Sequence, residues 1–268
     1  MFGSVNELLL YRLDSLDSSV RVVLHLLAIL GTEFDLLDAA YAYEEMLGID
    51  MSNQYEAAAN FRHSLDVAVR EGILESISVA EDRDKDDTID ASIRHQLFSE
   101  NCRLRFTHDS WKKSILNVML DEKKREIHEH VAISMERELD DETDVHEDFE
   151  KQITVFNHWK SSGSFIKAAG MSLNIGGQLM MLGLNSQAVL LFDEVLDILR
   201  RVSDDESNMP TYGEIDALVL DAIDVPELVH LIEVNIAKGK AHLTLSQGVD
   251  AADAYQNALD VSDAHYLV

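Results

Sequence analysis

A helical pattern that recurs after 63 residues limits the folds that this chain can adopt. The stretch Gly170–Arg201 predicts two amphipathic helices joined at Gly183–Asn185, because its apolar residues recur at three- and four-residue spacing. A shift of 63 residues superimposes four characteristic positions. The matched pairs are Gly176 with Gly239, Ala188 with Ala251, Phe192 with Tyr255 and Leu196 with Leu259. Because a helical hairpin cannot bury its apolar face alone, the recurrence predicts stacked hairpins, with Phe192 and Tyr255 as equivalent buried anchors.

The order of glycine, alanine, aromatic residue and leucine in this pattern resembles the tetratricopeptide (TPR) repeat, whose consensus has small and aromatic residues at these positions. The resemblance implies an α-solenoid of TPR-like repeats over residues 148–268. An exposed acidic insert is expected at 203–227, where both prolines and eight acidic residues occur without a basic one. No polar capping helix follows the last hairpin, so we expect a truncated array or a packing partner at that end.

The first part of the chain, residues 1–107, has the pattern of a winged-helix module, a relative of the helix-turn-helix. Helices are predicted over Leu13–Gly31, from about Asp35 to Leu47, and over Gln54–Glu71. The β-branched segment Ile73–Val79 and the segment Leu104–Thr107 predict two strands on either side of an acidic loop. Three helices followed by a two-stranded wing is the winged-helix order.

Residues 108–147 are predicted to be linker helices between the two parts. The first should turn Trp111, Ile115, Val118 and Met119 inward, and the second, Glu122–Leu139, should bury Ile127, Val131, Met135 and Leu139. Residues 136–150 contain nine acidic residues against one arginine, which predicts a solvated link. The fold class is therefore mostly α.

The charge of the chain excludes several classes of partner. The 268 residues include 50 acidic and 22 basic ones, for a net charge of −28. A surface of this sign repels phosphate backbones and anionic lipid headgroups, so we expect no nucleic-acid or membrane partner. The single cysteine, Cys102, favours a reducing compartment. The apolar run Val20–Leu30 is too short to span a bilayer, and no secretory signal is evident, so a cytoplasmic location is expected.

Several segments together resemble the region that follows the nucleotide-binding module in signalling ATPases of the STAND class, especially those fused to class III adenylate/guanylate cyclases (soluble adenylyl cyclase-like). They are YRLDSLDSSVRVVLHLLAILGTEFDLL, REGILE, LRFTHDSWKKSILNVML, KKREIHEHVAISMERE and ITVFNHWKSSGSFIKAAGMSLNIGGQLMMLG. The most specific element is Phe106–Thr107–His108, which leads into Trp111 and Ile115. The resemblance implies a winged helix, linker helices and TPR-like repeats that restrain an ATPase/cyclase module or relay signals for it.

This chain departs from that family in lacking its chemistry. No G-x-x-x-x-G-K-[ST] phosphate loop occurs, and no aspartates stand in a recognisable cyclase context. We therefore predict no enzyme activity and no cofactor, and a regulatory fragment that acts through protein partners, one of which is an ATPase/cyclase module if the resemblance holds. A free-standing TPR adaptor is the alternative within the same class, and a winged-helix DNA-binding regulator is the alternative from another.

The segments that resemble metal-binding motifs lack the residues or the spacing that such sites require. The acidic run Asp82–Asp90 imitates the start of an EF-hand loop, but Asp87 stands where the loop needs glycine and Ile93 where it needs glutamate. The two histidines of His128–Glu129–His130 point about 200° apart on a helix, which is not the geometry of a zinc pair. His108 and His158 are interpreted as capping or packing residues. We predict no catalytic, cofactor-binding or metal-binding residues.

Two surfaces remain as candidates for binding. The helix containing Asn60–Asp66 occupies the place of a DNA-recognition helix, but Arg62, His63 and Arg70 stand there against Asp66 and Glu71, which favours protein packing over DNA reading. In the repeat region, Met180 and Met181 with Leu179 and Leu182 could line an adaptable binding groove or pack in the core.

Overall fold

The computed structural model describes residues 5–49, 54–77, 103–141, 147–205 and 225–266. These residues form eleven helices and one small antiparallel sheet, so the mostly helical class is confirmed. The chain divides into two compact units, Met1–Glu142 and Thr143–Val268.

The first unit contains six of the helices. They are α1 (Val5–Asp14), α2 (Ser18–Leu30), α3 (Leu36–Leu47), α4 (Tyr55–Arg70), α5 (Asp109–Val118) and α6 (Asp121–Asp141). The helix predicted over Leu13–Gly31 is found as α2, but its predicted start is wrong, because α1 ends at Asp14 and α2 begins at Ser18. The hydroxyl of Ser15 donates to the carbonyl of Arg12 at 2.6 Å, and Asp17 is extended (φ −60°, ψ 149°), so the chain turns between the two helices.

Three short strands form the sheet of the first unit: β1 (Glu33–Asp35), β2 (Leu74–Ile77) and β3 (Arg103–Phe106). The order is β1-β3-β2, and both pairings are antiparallel, with Leu104 opposite Phe34 on one side and Ser76 on the other. The predicted strands β2 and β3 are confirmed, but the two-stranded count is wrong because β1 adds a third strand. Arg103 on β3 forms an ion pair with Asp35 on β1, with Nε and Oδ1 3.0 Å apart.

The core of the first unit follows the predicted faces of α5 and α6 with two exceptions, Leu139 and Val118. Trp111, Ile115 and Met119 are buried, and so are Ile127, Val131 and Met135, whereas Leu139 is half-buried. Val118, predicted to face inward, is 48% exposed. The helix α5 ends at this residue. The backbone of Met119 is extended (ψ 132°), and the side chain of Met119 is buried instead of that of Val118.

The second unit consists of five helices: α7 (Glu147–Ser162), α8 (Phe165–Met181), α9 (Asn185–Asp205), α10 (Val225–Thr244) and α11 (Gly248–Tyr266). Consecutive helices pack on each other, and α8 also packs on α10. The predicted solvated link 136–150 is largely helical, since α6 continues to Asp141 and α7 begins at Glu147. The predicted insert 203–227 is helical at both ends, and residues 206–224 lie outside the described part of the chain.

The two repeated hairpins share one close contact. A Cβ atom added to Gly176 would overlap the ring of Phe192, and one added to Gly239 would lie 2.8 Å from the ring of Tyr255. In both hairpins the missing side chain therefore makes room for an aromatic ring sixteen residues later. Ala188 and Ala251 are also both buried. The glycine and alanine pairs thus occupy matching surroundings. The prediction that Phe192 and Tyr255 are equivalent buried anchors is wrong in one respect, because Phe192 is fully buried and Tyr255 is half-buried.

The fourth pair does not match. Leu196 is 1% exposed, whereas Leu259 is 55% exposed. The reason is that α9 is covered by α10, while α11 packs mainly on α10 and no described helix lies on its other side. The prediction of equivalence fails at this position because burial depends on a neighbouring hairpin as well as on the local pattern.

Candidate functional site

A groove on the surface of the second unit is lined by residues of α7, α8 and α9; we call it the apolar groove. Its volume is about 240 Å³. The apolar lining consists of Phe149, Ile153, Phe156, Ile175, Leu179 and Leu191. The polar residues at its edge are Asn157, Gln187 and Glu194. The groove is therefore a largely apolar depression with a polar edge, which is the usual composition of a site that receives a side chain or small ligand.

The floor of the apolar groove consists of buried residues, and one of its walls is exposed to solvent. Phe156, Ile175 and Leu179 are buried, whereas Ile153 on α7 is 37% exposed. Two polar contacts hold the helices together at the groove. Lys160 on α7 forms an ion pair with Glu194 on α9 (Nζ–Oε1 2.7 Å), and the amide of Gln178 donates to Gln152 Oε1 at 3.0 Å. The groove is therefore preformed and accessible.

A second depression lies between α9, α10 and α11; we call it the polar cleft. Its volume is about 350 Å³. Its polar lining consists of Asp193, Lys238, His242, Asp250, Asp253 and Asn257. Lys238 Nζ lies 2.6 Å from Asp193 Oδ1, and His242 Nδ1 lies 2.7 Å from Gln247 Oε1. Asp250 and Asp253 are exposed and form no ion pair within the described residues. The unneutralised charge of the cleft is therefore negative.

The apolar groove and the polar cleft occupy equivalent places in the two hairpins. A shift of 63 residues converts five lining residues of the groove into lining residues of the cleft. The pairs are Ile175 with Lys238, Leu179 with His242, Gln187 with Asp250, Leu191 with Ala254 and Glu194 with Asn257. The same architectural position is thus apolar in the first hairpin and charged in the second.

The four residues that the sequence suggested for a binding groove or for core packing, Leu179 to Leu182, lie in different environments. Leu179 is buried and forms part of the groove floor, and Met180 is half-buried. Met181 and Leu182 are 83% and 63% exposed, so they belong neither to the core nor to the groove lining. Sequence reasoning missed the α7 wall, although Phe149, Ile153 and Phe156 recur at the four- and three-residue spacing that marks one helix face.

The histidines singled out from sequence have structural surroundings. The prediction that His108 caps a helix is confirmed, because its Nδ1 accepts from the backbone N–H of Ser110 at 3.1 Å at the start of α5. His158 is buried, as expected for a packing residue. Burial lowers the pKa of His128 to about 4, so this side chain is neutral at pH 7.

The structure describes no group of three or more histidine, cysteine, aspartate or glutamate side chains placed to hold a metal ion. The EF-hand-like run Asp82–Ile93 and Cys102 lie outside the described residues.

The helix α4, considered from sequence as a DNA-recognition helix, buries one face and exposes the other. Phe61 stacks on Tyr43 with ring centroids 4.8 Å apart. Arg62, His63 and Arg70 are exposed. At the end of the helix, Arg12 of α1 donates to the carbonyl of Glu71 at 2.6 Å and approaches its carboxylate at 3.3 Å. The arginine at the end of α4, Arg12, therefore stands beside a carboxylate, and the helix itself offers only Arg62, His63 and Arg70 as exposed basic side chains.

The chain matches no protein-family model, no curated protein and no solved structure. Among the helices that the structure describes, none combines the length and apolarity needed to cross a bilayer.

Proposed function

We propose that this chain is a non-catalytic regulatory module that binds a protein partner through the apolar groove of its second unit. The observation that supports this proposal is the combination of a buried apolar floor, an exposed wall at Ile153 and polar contacts that fix the spacing of α7, α8 and α9. A preformed groove binds a side chain without first paying the entropy of ordering its own walls.

The finer architecture that we propose for the second unit is a TPR-like repeat. In its favour, each of two hairpins brings a glycine against an aromatic ring sixteen residues later, and α8 packs on α10 as first helices of successive repeats do. For the first unit we propose a winged-helix module. The element order α2-β1-α3-α4-β2-β3, with β3 between β1 and β2, supports this proposal.

The resemblance to the regulatory region of STAND-class signalling ATPases supplies the proposed biological role. Its most specific element, Phe106–Thr107–His108 followed by Trp111, lies at the corner between β3 and α5. There His108 caps α5, and Trp111 is buried with the guanidinium of Arg12 5.1 Å from its ring. In this proposal the module restrains an ATPase/cyclase partner or relays a signal to it, and performs no reaction itself.

A free-standing TPR adaptor is the second candidate function. It is favoured by the position of the apolar groove, which is built from α7, α8 and α9 of the second unit alone. Both candidates require binding at the same groove, and they differ in whether the partner is an ATPase/cyclase module. A DNA-binding regulator is disfavoured, because α4 has few cations and the chain has a net charge of −28.

The test is a selection of random 12-residue peptides displayed on phage against the full chain. We expect enriched peptides that bind the wild-type protein and the Val229→Asn variant alike but lose binding to Ile153→Asn. Ile153 lines the groove and is 37% exposed, whereas Val229 lies outside it and is 44% exposed, so the two substitutions are matched in chemistry and accessibility. Circular dichroism would establish that both variants are folded. Failure to enrich any peptide, or equal binding to both variants, would contradict the proposal.

A further inference from the structure

We infer that the segment bound by this chain is basic as well as apolar, with a large apolar side chain in the apolar groove and a lysine or arginine in the neighbouring polar cleft. This inference rests on the proposed function, since it names the chemistry of the partner at the same groove. The two depressions lie at equivalent positions on either side of α9. A partner segment that lies across α9 therefore meets an apolar surface on one side and carboxylates on the other.

The apolar groove has room for one large side chain. An apolar cavity of about 150 Å³ suffices to hold a benzene ring, and the groove measures about 240 Å³. Its floor is made of Phe156, Ile175 and Leu179, which offer no hydrogen-bonding side-chain group to a ligand. A leucine or phenylalanine of the partner is therefore favoured here over a polar residue, whose hydrogen bonds to water would be lost.

The polar cleft favours a cation for two reasons. Lys238 is already engaged by Asp193, so its charge does not neutralise the other two carboxylates, those of Asp250 and Asp253. The helix that carries them, α11, also contains Asp260 and Asp263 and neither lysine nor arginine. A lysine or arginine entering the cleft meets opposite charge, whereas an acidic side chain meets repulsion.

The spacing of the two depressions limits the spacing within the partner. Only α9 separates them, since its residues line both, and helices pack about 8–10 Å apart. An extended segment advances about 3.3 Å per residue. We therefore expect the apolar and the basic side chain to be separated by about three residues of extended chain.

The probe for this inference is a fluorescein-labelled 12-residue peptide, (Leu-Lys-Lys-Leu) three times, titrated with the full chain at about 50 mM salt and followed by anisotropy. One matched peptide replaces every lysine by glutamate, and another replaces every leucine by serine. We expect the basic apolar peptide to bind at least about tenfold more tightly than either, because each control removes one of the two complementary contacts.

Variants of the chain then locate the two contacts. Ile153→Asn should weaken binding of the basic apolar peptide about tenfold, while Val229→Asn should leave it unchanged. The double variant Asp250→Asn/Asp253→Asn should weaken binding about threefold, the scale of exposed charge pairs. The matched control Glu129→Gln/Asp260→Asn removes two charges outside both depressions, and should have a clearly smaller effect.

The outcomes separate this inference from the proposed function. If the glutamate peptide binds as tightly as the lysine peptide and Ile153→Asn abolishes both, the groove binds partners and the basic chemistry is wrong. Equal loss in the two double variants would likewise overturn the role of the polar cleft, because general charge would then explain the attraction. If none of the peptides binds, the inference is overturned, and the phage selection decides the proposed function separately.

Discussion

Comparison of the apolar groove with the polar cleft separates what the repeat must keep from what it can vary. In both hairpins a glycine on the first helix faces an aromatic ring on the second, at Gly176 with Phe192 and at Gly239 with Tyr255. The floors of the two depressions differ in character, as Ile175 is replaced by Lys238 and Leu179 by His242. The helix contact therefore sets the position of the depression, and its lining determines what can bind.

The two hairpins also differ in how firmly they hold their aromatic ring. Phe192 is fully buried between helices on both sides, whereas Tyr255 is half-buried on the last described helix. The second hairpin thus keeps the contact with less surrounding structure. This difference can be tested directly, because equivalent substitutions should have unequal effects.

The largest expected effect comes from removing the aromatic rings. Phe192→Ala should lower the free energy of unfolding of the second unit by about 3–5 kcal/mol. Tyr255→Ala should cost about 1–2 kcal/mol, because only part of its ring is removed from water. The measurement is denaturant titration followed by Trp159 fluorescence in a Trp111→Phe background, since Trp159 is then the sole tryptophan and lies in the second unit. Equal losses at the two positions would show that the hairpins are equally supported.

Adding a methyl group at each of the two glycines should change the free energy of unfolding by less, but again unequally in the two hairpins. Gly176→Ala should destabilise the second unit by about 1–3 kcal/mol, because the new methyl overlaps a fully buried ring that cannot move away. At Gly239 the half-exposed ring of Tyr255 can shift, and alanine is the better helix former by about 1 kcal/mol. Gly239→Ala should therefore change stability by less than about 0.5 kcal/mol. The same titration measures both, and a loss at Gly239 as large as that at Gly176 would contradict the difference in packing.

The ion pair at the polar cleft should contribute little to stability but influence binding. Lys238→Met should cost at most about 1 kcal/mol, since Asp193 is well exposed to solvent. It should also strengthen binding of the lysine–leucine peptide about twofold, because Asp193 becomes a further unneutralised carboxylate. Lys240→Met is the matched control, as Lys240 is an exposed residue of the same helix outside the cleft. Equal strengthening in the two variants would mean that net charge, and not the cleft, sets the affinity.

The sequence predicts well those elements whose pattern is long and local. The helix predicted over Gln54–Glu71 is found as α4 (Tyr55–Arg70), and its buried residues recur at the three- and four-residue spacing of one helix face. The three-residue strand β1 was missed because its single apolar residue, Phe34, gives no measurable alternation. The start of α2 was misplaced because Asp14 and Ser15 fit as caps in the sequence, whereas the observed N-cap is Asp17.

The candidate site was harder to predict than the fold for a different reason. Periodicity identifies the face of a helix but not the neighbour that covers it, so Leu196 and Leu259 appear equivalent in sequence and differ in exposure. The apolar groove combines residues of three helices, and only the packing of α7 against α8 reveals that Ile153 remains open beside the buried Ile175. The polar cleft could have been anticipated by applying the 63-residue shift to the lining of the groove, once that lining was known.

The smallest expected effect is on duplex DNA, for which we predict no binding at either depression or at α4. Lysines and arginines supply most non-specific affinity for DNA, by releasing counterions from the phosphates. In the polar cleft the one lysine is engaged by Asp193, and at α4 the cations Arg62 and Arg70 stand within a chain of net charge −28. Lowering the salt removes screening and increases the repulsion. Fluorescence anisotropy of a labelled duplex at about 50 mM salt, a condition that favours phosphate contacts, should therefore stay flat into the micromolar range. A saturable rise that weakens as salt is added would instead place the main binding surface on α4, and the contrast between the groove and the cleft would lose its functional meaning.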